Sequence, residues 1–187
     1  MALPLSVAAG IAAACSRPAP RPAGTAPVAP TQRSDTSGLL GLLGPRLDDP
    51  PLLQAGDNGI RLVWVRAFHA PILIRLDHLP GRLRIRWKKW RVGFEGSTPV
   101  DTGSQAVDST VWAAATAQLA ASAFWSAPRE DSVSTAGVND GAIWILEAVL
   151  SSQYHRVERV LGTAGVQRLG LWLIQLTPLV RDTAPVY

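Results

Sequence analysis

The chain has 187 residues, 47% of them hydrophobic and seven of them tryptophan, enough apolar bulk for one buried core. Charged residues make up 17%, and the formal net charge of +4 biases the surface towards anionic partners without defining a mechanism. The single cysteine excludes an intrachain disulfide.

Residues 2–14 are apolar, small towards their end, and run directly into Cys15. This pattern predicts a signal peptide over 1–14, a short hydrophobic run before a small-residue cleavage site. It is too short to cross a bilayer as a helix, which takes about 20 apolar residues. The stretch Ile11-Ala12-Ala13-Ala14-Cys15 resembles a bacterial lipobox. That resemblance implies a diacylated Cys15 as the mature N-terminus, and Ser16 beside it implies sorting to the outer membrane, facing the periplasm.

Residues 15–58 read as the lipidated cysteine and a Pro/Ala-rich tether, largely disordered. Pro18, Pro20, Pro22, Pro27 and Pro30 remove backbone donors and favour an extended spacer. Leu39, Leu40, Leu42 and Leu43 allow one short helical turn, which Pro45, Pro50 and Pro51 keep from growing.

A single domain is expected over 59–187. Arg61 to His69 alternates loosely and predicts a strand buried on much of both sides. Ile72 to Leu79 and Arg82 to Val92 predict two more, joined as an antiparallel hairpin by Pro80-Gly81. In the third strand Leu83, Ile85 and Trp87 face one way, and Arg82, Arg84, Arg86 and Lys88 the other. Gly93 to Gly103 reads as a loop, with a short strand at Gln105 to Val107. A helix capped by Asp108 or Ser109 carries Val111, Trp112, Ala115, Leu119 and Ala123 on one stripe and ends by Pro128. After a polar loop over 126–141, Ala142 to Leu150 and Tyr154 to Leu161 predict a second hairpin. A last helix runs from Ala164 to Leu176, with Val166, Leu169, Leu173 and Leu176 inward, and stops at Pro178. The order strands, helix, hairpin, helix predicts an α+β fold: an antiparallel sheet of about five strands with two helices packed on one face.

Three features bear on function. Val100-Asp101-Thr102-Gly103-Ser104 resembles the aspartic-protease signature, which implies a homodimer whose two Asp101 carboxylates share a proton. An ordinary turn explains Asp101 as well. Arg82, Arg84, Arg86 and Lys88, with Trp87 and Trp90 interleaved, form a candidate anion-binding face, against the plainer reading of a solvated strand face. His69, His78 and His155 are far apart with no ligand spacing, so no metal or cofactor is expected. Trp112, Trp125, Trp144 and Trp172 lie in helix and strand patterns and read as core.

The stretches Gly-Ala-Ile-Trp-Ile-Leu-Glu and Tyr-His-Arg-Val-Glu-Arg, within 141–159, are similar to small lipoproteins of Gram-negative bacteria. That resemblance implies an envelope location and supplies no activity. The expectation is a non-enzymatic envelope lipoprotein, held to the membrane by its lipid, whose domain binds an anionic envelope component or an acidic protein. Nucleic acid is not an expected partner. A purely structural lipoprotein and the dimeric protease are the alternatives.

Overall fold

Charged and apolar residues alternate along 82–88, a few charges interrupt the other, largely apolar strands, and the fold gathers most of these charges on one side of one sheet. The computed structural model describes residues 47–50, 52, 58–92, 98–130, 141–160 and 164–182, less the side chains of 181 and 182. All lie in the unit Gln32–Tyr187. Cys15, residues 1–14 with the expected leader, and the proline-rich 16–37 stretch fall outside the described residues.

The elements are β1 (Asn58–Arg66), β2 (His69–Leu79), β3 (Arg82–Lys89), β4 (Asp101–Ala106), α1 (Ser109–Ala121), β5 (Ala142–Leu150), β6 (Gln153–Val160) and α2 (Ala164–Gln175), with 3-10 turns at Phe124–Ser126 and Pro178–Asp182. The strands form one antiparallel sheet in the order β4-β3-β2-β1-β5-β6. The fold is α+β, and its sheet has six strands where about five were expected. The sixth strand is β4, whose second half overlaps the short strand expected at Gln105 to Val107 and whose first half read as loop. Its sequence Asp-Thr-Gly-Ser-Gln-Ala is exposed or nearly so throughout, so it carries no inside–outside alternation to betray it. The first expected strand also divides earlier than His69, because Ala67 and Phe68 turn the chain from β1 into β2.

The domain reaches back beyond residue 59. Leu47 and Leu52 are fully buried and Asp49 nearly so, which corrects the expectation that the tether extends to residue 58. These positions sit among prolines, where no periodic signal forms.

One side of the sheet builds the main core. Ile60, Leu62 and Trp64 of β1, Ile72, Ile74 and Leu76 of β2, and Trp144 and Leu146 of β5 join Ala115 and Leu119 of α1 and Val166, Leu169 and Leu173 of α2. Each buried Val, Leu or Ile of this set contributes about 1.5–3 kcal/mol through loss of hydrated apolar area. Trp64 and Trp144, paired across β1 and β5, stack with centroids 4.5 Å apart. At Gly170 of α2 a Cβ would lie 2.6 Å from the Trp144 ring, so the helix backbone rests directly on that stack.

Local signals place the ends of the elements. Asp108 caps α1, accepting from Thr110 N and Val111 N. The Thr110 hydroxyl bond, followed by the two backbone bonds, holds its carboxyl below the usual carboxylate range. The helix ends sooner than Pro128: Ala123 takes a left-handed φ of 52° immediately after Ser122. The β5–β6 turn is Ser151-Ser152, both left-handed with φ of 49° and 68°, as a two-residue hairpin of primed type requires.

Candidate functional site

The other side of the sheet carries charge. The register sets Arg156 of β6, Glu147 of β5, Arg61 of β1, Arg75 of β2, Arg86 of β3 and Ser104 of β4 side by side in one row across all six strands. Three neighbouring arginines in such a row repel one another, and cross-strand pairs of like charge destabilise a sheet. The fold answers with carboxylates from three directions.

Glu147 receives Arg61 Nε within the row. Asp77, two residues along β2, receives Arg75 Nε at 2.6 Å and Arg86 Nε at 2.7 Å, with Arg84 Nη2 3.9 Å away. Asp49 comes from the segment before β1. Its Oδ2 lies 3.3 Å from both Arg61 Nη1 and Arg75 Nη1, and its Oδ1 lies 3.7 Å from Arg86 Nη1. The Pro50 carbonyl accepts from the same two Nη1 groups at 3.2 and 2.9 Å. The segment that read as tether is therefore the lid of this network. Beside the row, Leu47, Val63, Leu73, Trp90 and Ile145 make a small second core.

Depth separates the β3 rim from the interior, where Arg61 and Arg75 are about as buried as their carboxylates. The Asp49 and Asp77 side chains are 2% and 4% exposed, whereas Arg84 and Arg86 are 29% and 30% exposed. Lys88 leans on the exposed Asp48 through its carboxylate and its carbonyl. Among the described residues the inner part of this face and its β3 rim hold Arg61, Arg75, Arg82, Arg84, Arg86 and Lys88 against Asp48, Asp49, Asp77 and Glu147, six cations to four anions. Tyr154 completes the β5 end, its hydroxyl donating to Glu147 Oε1 at 2.8 Å. Burial, and then the adjacent Glu147 charge, push the phenol far above its ordinary range.

The six residues expected to share an anion-binding face do not share one. Arg82, Arg84, Arg86 and Lys88 follow one side of β3. Trp87 points to the opposite side, into the main core, where its Nε1 lies 3.4 Å from Asp101 Oδ1. Period two forces that separation. Trp90, beyond the end of β3, is wholly buried in the second core. The two indoles therefore offer no stacking surface beside the cations.

Asp101 opens the edge strand β4 and is exposed. The His78 ring stacks on Trp112 with centroids 4.8 Å apart, and His155 Nε2 lies 3.0 Å from the Ala127 carbonyl. Trp144 is buried, while Trp112, Trp125 and Trp172 pack partly buried against the main core. Among the described residues no group of three or more His, Cys, Asp or Glu is placed to hold a metal, and no helix is long and apolar enough to cross a membrane.

Sequence reasoning missed Asp49, Arg61, Arg75, Asp77 and Glu147. A signal existed for four of them. Each stands as an isolated charge inside an otherwise apolar strand, and a buried charge has to be paired. No protein-family model and no curated protein matches this chain.

Proposed function

We propose that this protein is a non-enzymatic envelope lipoprotein, anchored through Cys15 at the periplasmic face of the outer membrane, whose domain docks an anionic envelope component or an acidic protein. In this reading both helices clad one face of the sheet and the β3 side of the other face meets the partner. The supporting observation is an arginine rim held from beneath: Arg84 and Arg86 are partly exposed over the buried Asp77 and Asp49, and cations outnumber carboxylates across this part of the face. Such a rim attracts polyanions while the buried carboxylates hold the arginines in fixed positions.

Retention of the full chain on a dextran sulfate matrix tests the binding reading. Arg82→Gln combined with Arg84→Gln, which places no new carboxylate beside Asp77, should elute at clearly lower salt with an unchanged circular dichroism spectrum. Arg86 is left alone because it bonds Asp77. Unchanged elution would overturn the reading and favour a structural role. Intact mass of membrane-extracted protein, beside Cys15→Ala, tests the anchor, which fails if the mass retains Met1 without a lipid.

A further inference from the structure

We infer that the free edge of β4 is a strand-addition site that takes an extended acidic polypeptide segment as a seventh strand. This rests on the anion-docking reading and gives it a geometry.

The two ends of the sheet are treated differently. Beyond β6 the chain that follows α1 closes the edge: Glu158 N donates to the Arg129 carbonyl at 2.6 Å, and Arg159 Nη2 donates to the Pro128 carbonyl at 2.8 Å. β4 is the other terminal strand, pairs only with β3 among the described residues, and has five of its six residues exposed. Val107 N donates to the Leu83 carbonyl at 3.2 Å in the same register, which assigns the inward hydrogen bonds to Gly103 and Gln105. The amides and carbonyls of Thr102, Ser104 and Ala106 consequently point away from the sheet. Bare edges are ordinarily blunted with lysine, proline or a bulge. Pro99, an off-register bond from Val100 N to the Lys89 carbonyl at 2.7 Å and the charge of Asp101 guard only the start of β4; from Thr102 to Ala106 there is no lysine, proline or charge and the pairing with β3 is regular.

The side chains select the occupant. Thr102, Ser104 and Ala106 pair with Lys88, Arg86 and Arg84 on the charged face, so a row of small groups lies just outside a row of cations. A seventh strand would run about 9.6 Å from β3, two interstrand spacings away. Across so small a gap-filler, carboxylates at alternate positions of that strand come within side-chain reach of Arg84, Arg86 and Lys88, which hold Asp77, Asp49 and Asp48 on their other side and remain partly exposed. A second copy pairing through its own β4 would instead bring two cationic rows to three spacings, about 14 Å, with only Thr, Ser and Ala between them. Charge thus favours an acidic strand over self-pairing, and backbone pairing with alternate-side-chain selection is how sheet edges recognise peptides.

The test uses the full chain and a fluorescent ten-residue peptide of alternating Glu and Thr. Three comparison peptides accompany it: a block Glu-then-Thr isomer, an alternating Lys-Thr peptide, and the alternating Glu-Thr peptide N-methylated along one edge. The alternating acidic peptide should bind at least tenfold tighter than all three. Ser104→Pro, which removes only an outward amide, should weaken it at least tenfold while leaving dextran sulfate retention unchanged. The N-methylated peptide gives the same answer without altering the protein. Equal binding of block and alternating isomers, or undiminished binding of the N-methylated form, would overturn strand addition while leaving anion docking intact. A dimer in light scattering that Ser104→Pro dissolves would give the edge to a second copy and overturn the proposal. Loss of dextran sulfate binding by the wild type would remove the underlying reading itself.

Discussion

Arg75 and Arg86 face each other directly across the β2–β3 pair, and both turn their Nε donors onto the one carboxylate of Asp77. That carboxylate, nearly without solvent exposure, is shared between the two guanidiniums, and Asp49 supports both from the segment before β1. Breaking a buried ion pair from one side typically costs about 3–5 kcal/mol. Asp77→Asn should therefore lower the unfolding free energy by a few kcal/mol, read from urea transitions. A loss below about 1 kcal/mol would place the pair in the class of surface salt bridges.

Tyr154 supplies a pH dependence. Its folded phenol titrates above the ordinary value near 10, so the unfolded chain loses that proton first. The stabilisation is complete below pH 10 and is lost as pH rises beyond it. Absorbance at 295 nm should show one of the two tyrosines ionising late, and Tyr154→Phe should abolish the late phase. Two phenols titrating together near pH 10 would contradict the buried bond to Glu147.

Gly170 inverts a helix rule. Exposed mid-helix Gly→Ala gains about 1 kcal/mol from propensity. Here the added Cβ would stand 2.6 Å from the Trp144 ring and 3.3 Å from Leu62, inside a packed stack. Overpacking of this kind costs about 1–3 kcal/mol. Gly170→Ala should lower Tm and perturb tryptophan fluorescence, and a raised Tm would show that α2 can lift off the sheet freely.

Ser152 and Ala123 offer the opposite. Both hold left-handed backbone without being glycine, at φ of 68° and 52°. That conformation costs an L-residue roughly 1–2 kcal/mol. Ser152→Gly and Ala123→Gly should each raise stability by up to about 1 kcal/mol, since glycine also loses more chain entropy on folding. Thermal unfolding of the two single variants decides the matter.

The sequence made the hairpins legible because Pro80-Gly81 and the paired serines interrupt strong strand patterns. It also separated Trp87 from its arginine neighbours by period alone. Two things stayed hidden for opposite reasons. β4 has no buried face, so nothing in Asp-Thr-Gly-Ser-Gln-Ala alternates. Asp49 is buried by contacts to residues 12 and 26 positions away, and no local pattern encodes those partners. Period two shows which side of a strand Arg61 or Glu147 takes. It does not show that the two meet, because that depends on β1 lying beside β5.

That adjacency gives the sheet an order of assembly. β1 through β4 form a meander of successive neighbours, whereas Glu147 joins Arg61 across 86 residues. Nearby strands close small loops and pair early, while β1 with β5 pays the larger entropy of closure. Without the β5–β6 hairpin, β1 would keep an unpaired edge on that side and Arg61 would lack its glutamate. A chain stopped before Ala142 would therefore carry a sheet open on both flanks, and open flanks seek other chains.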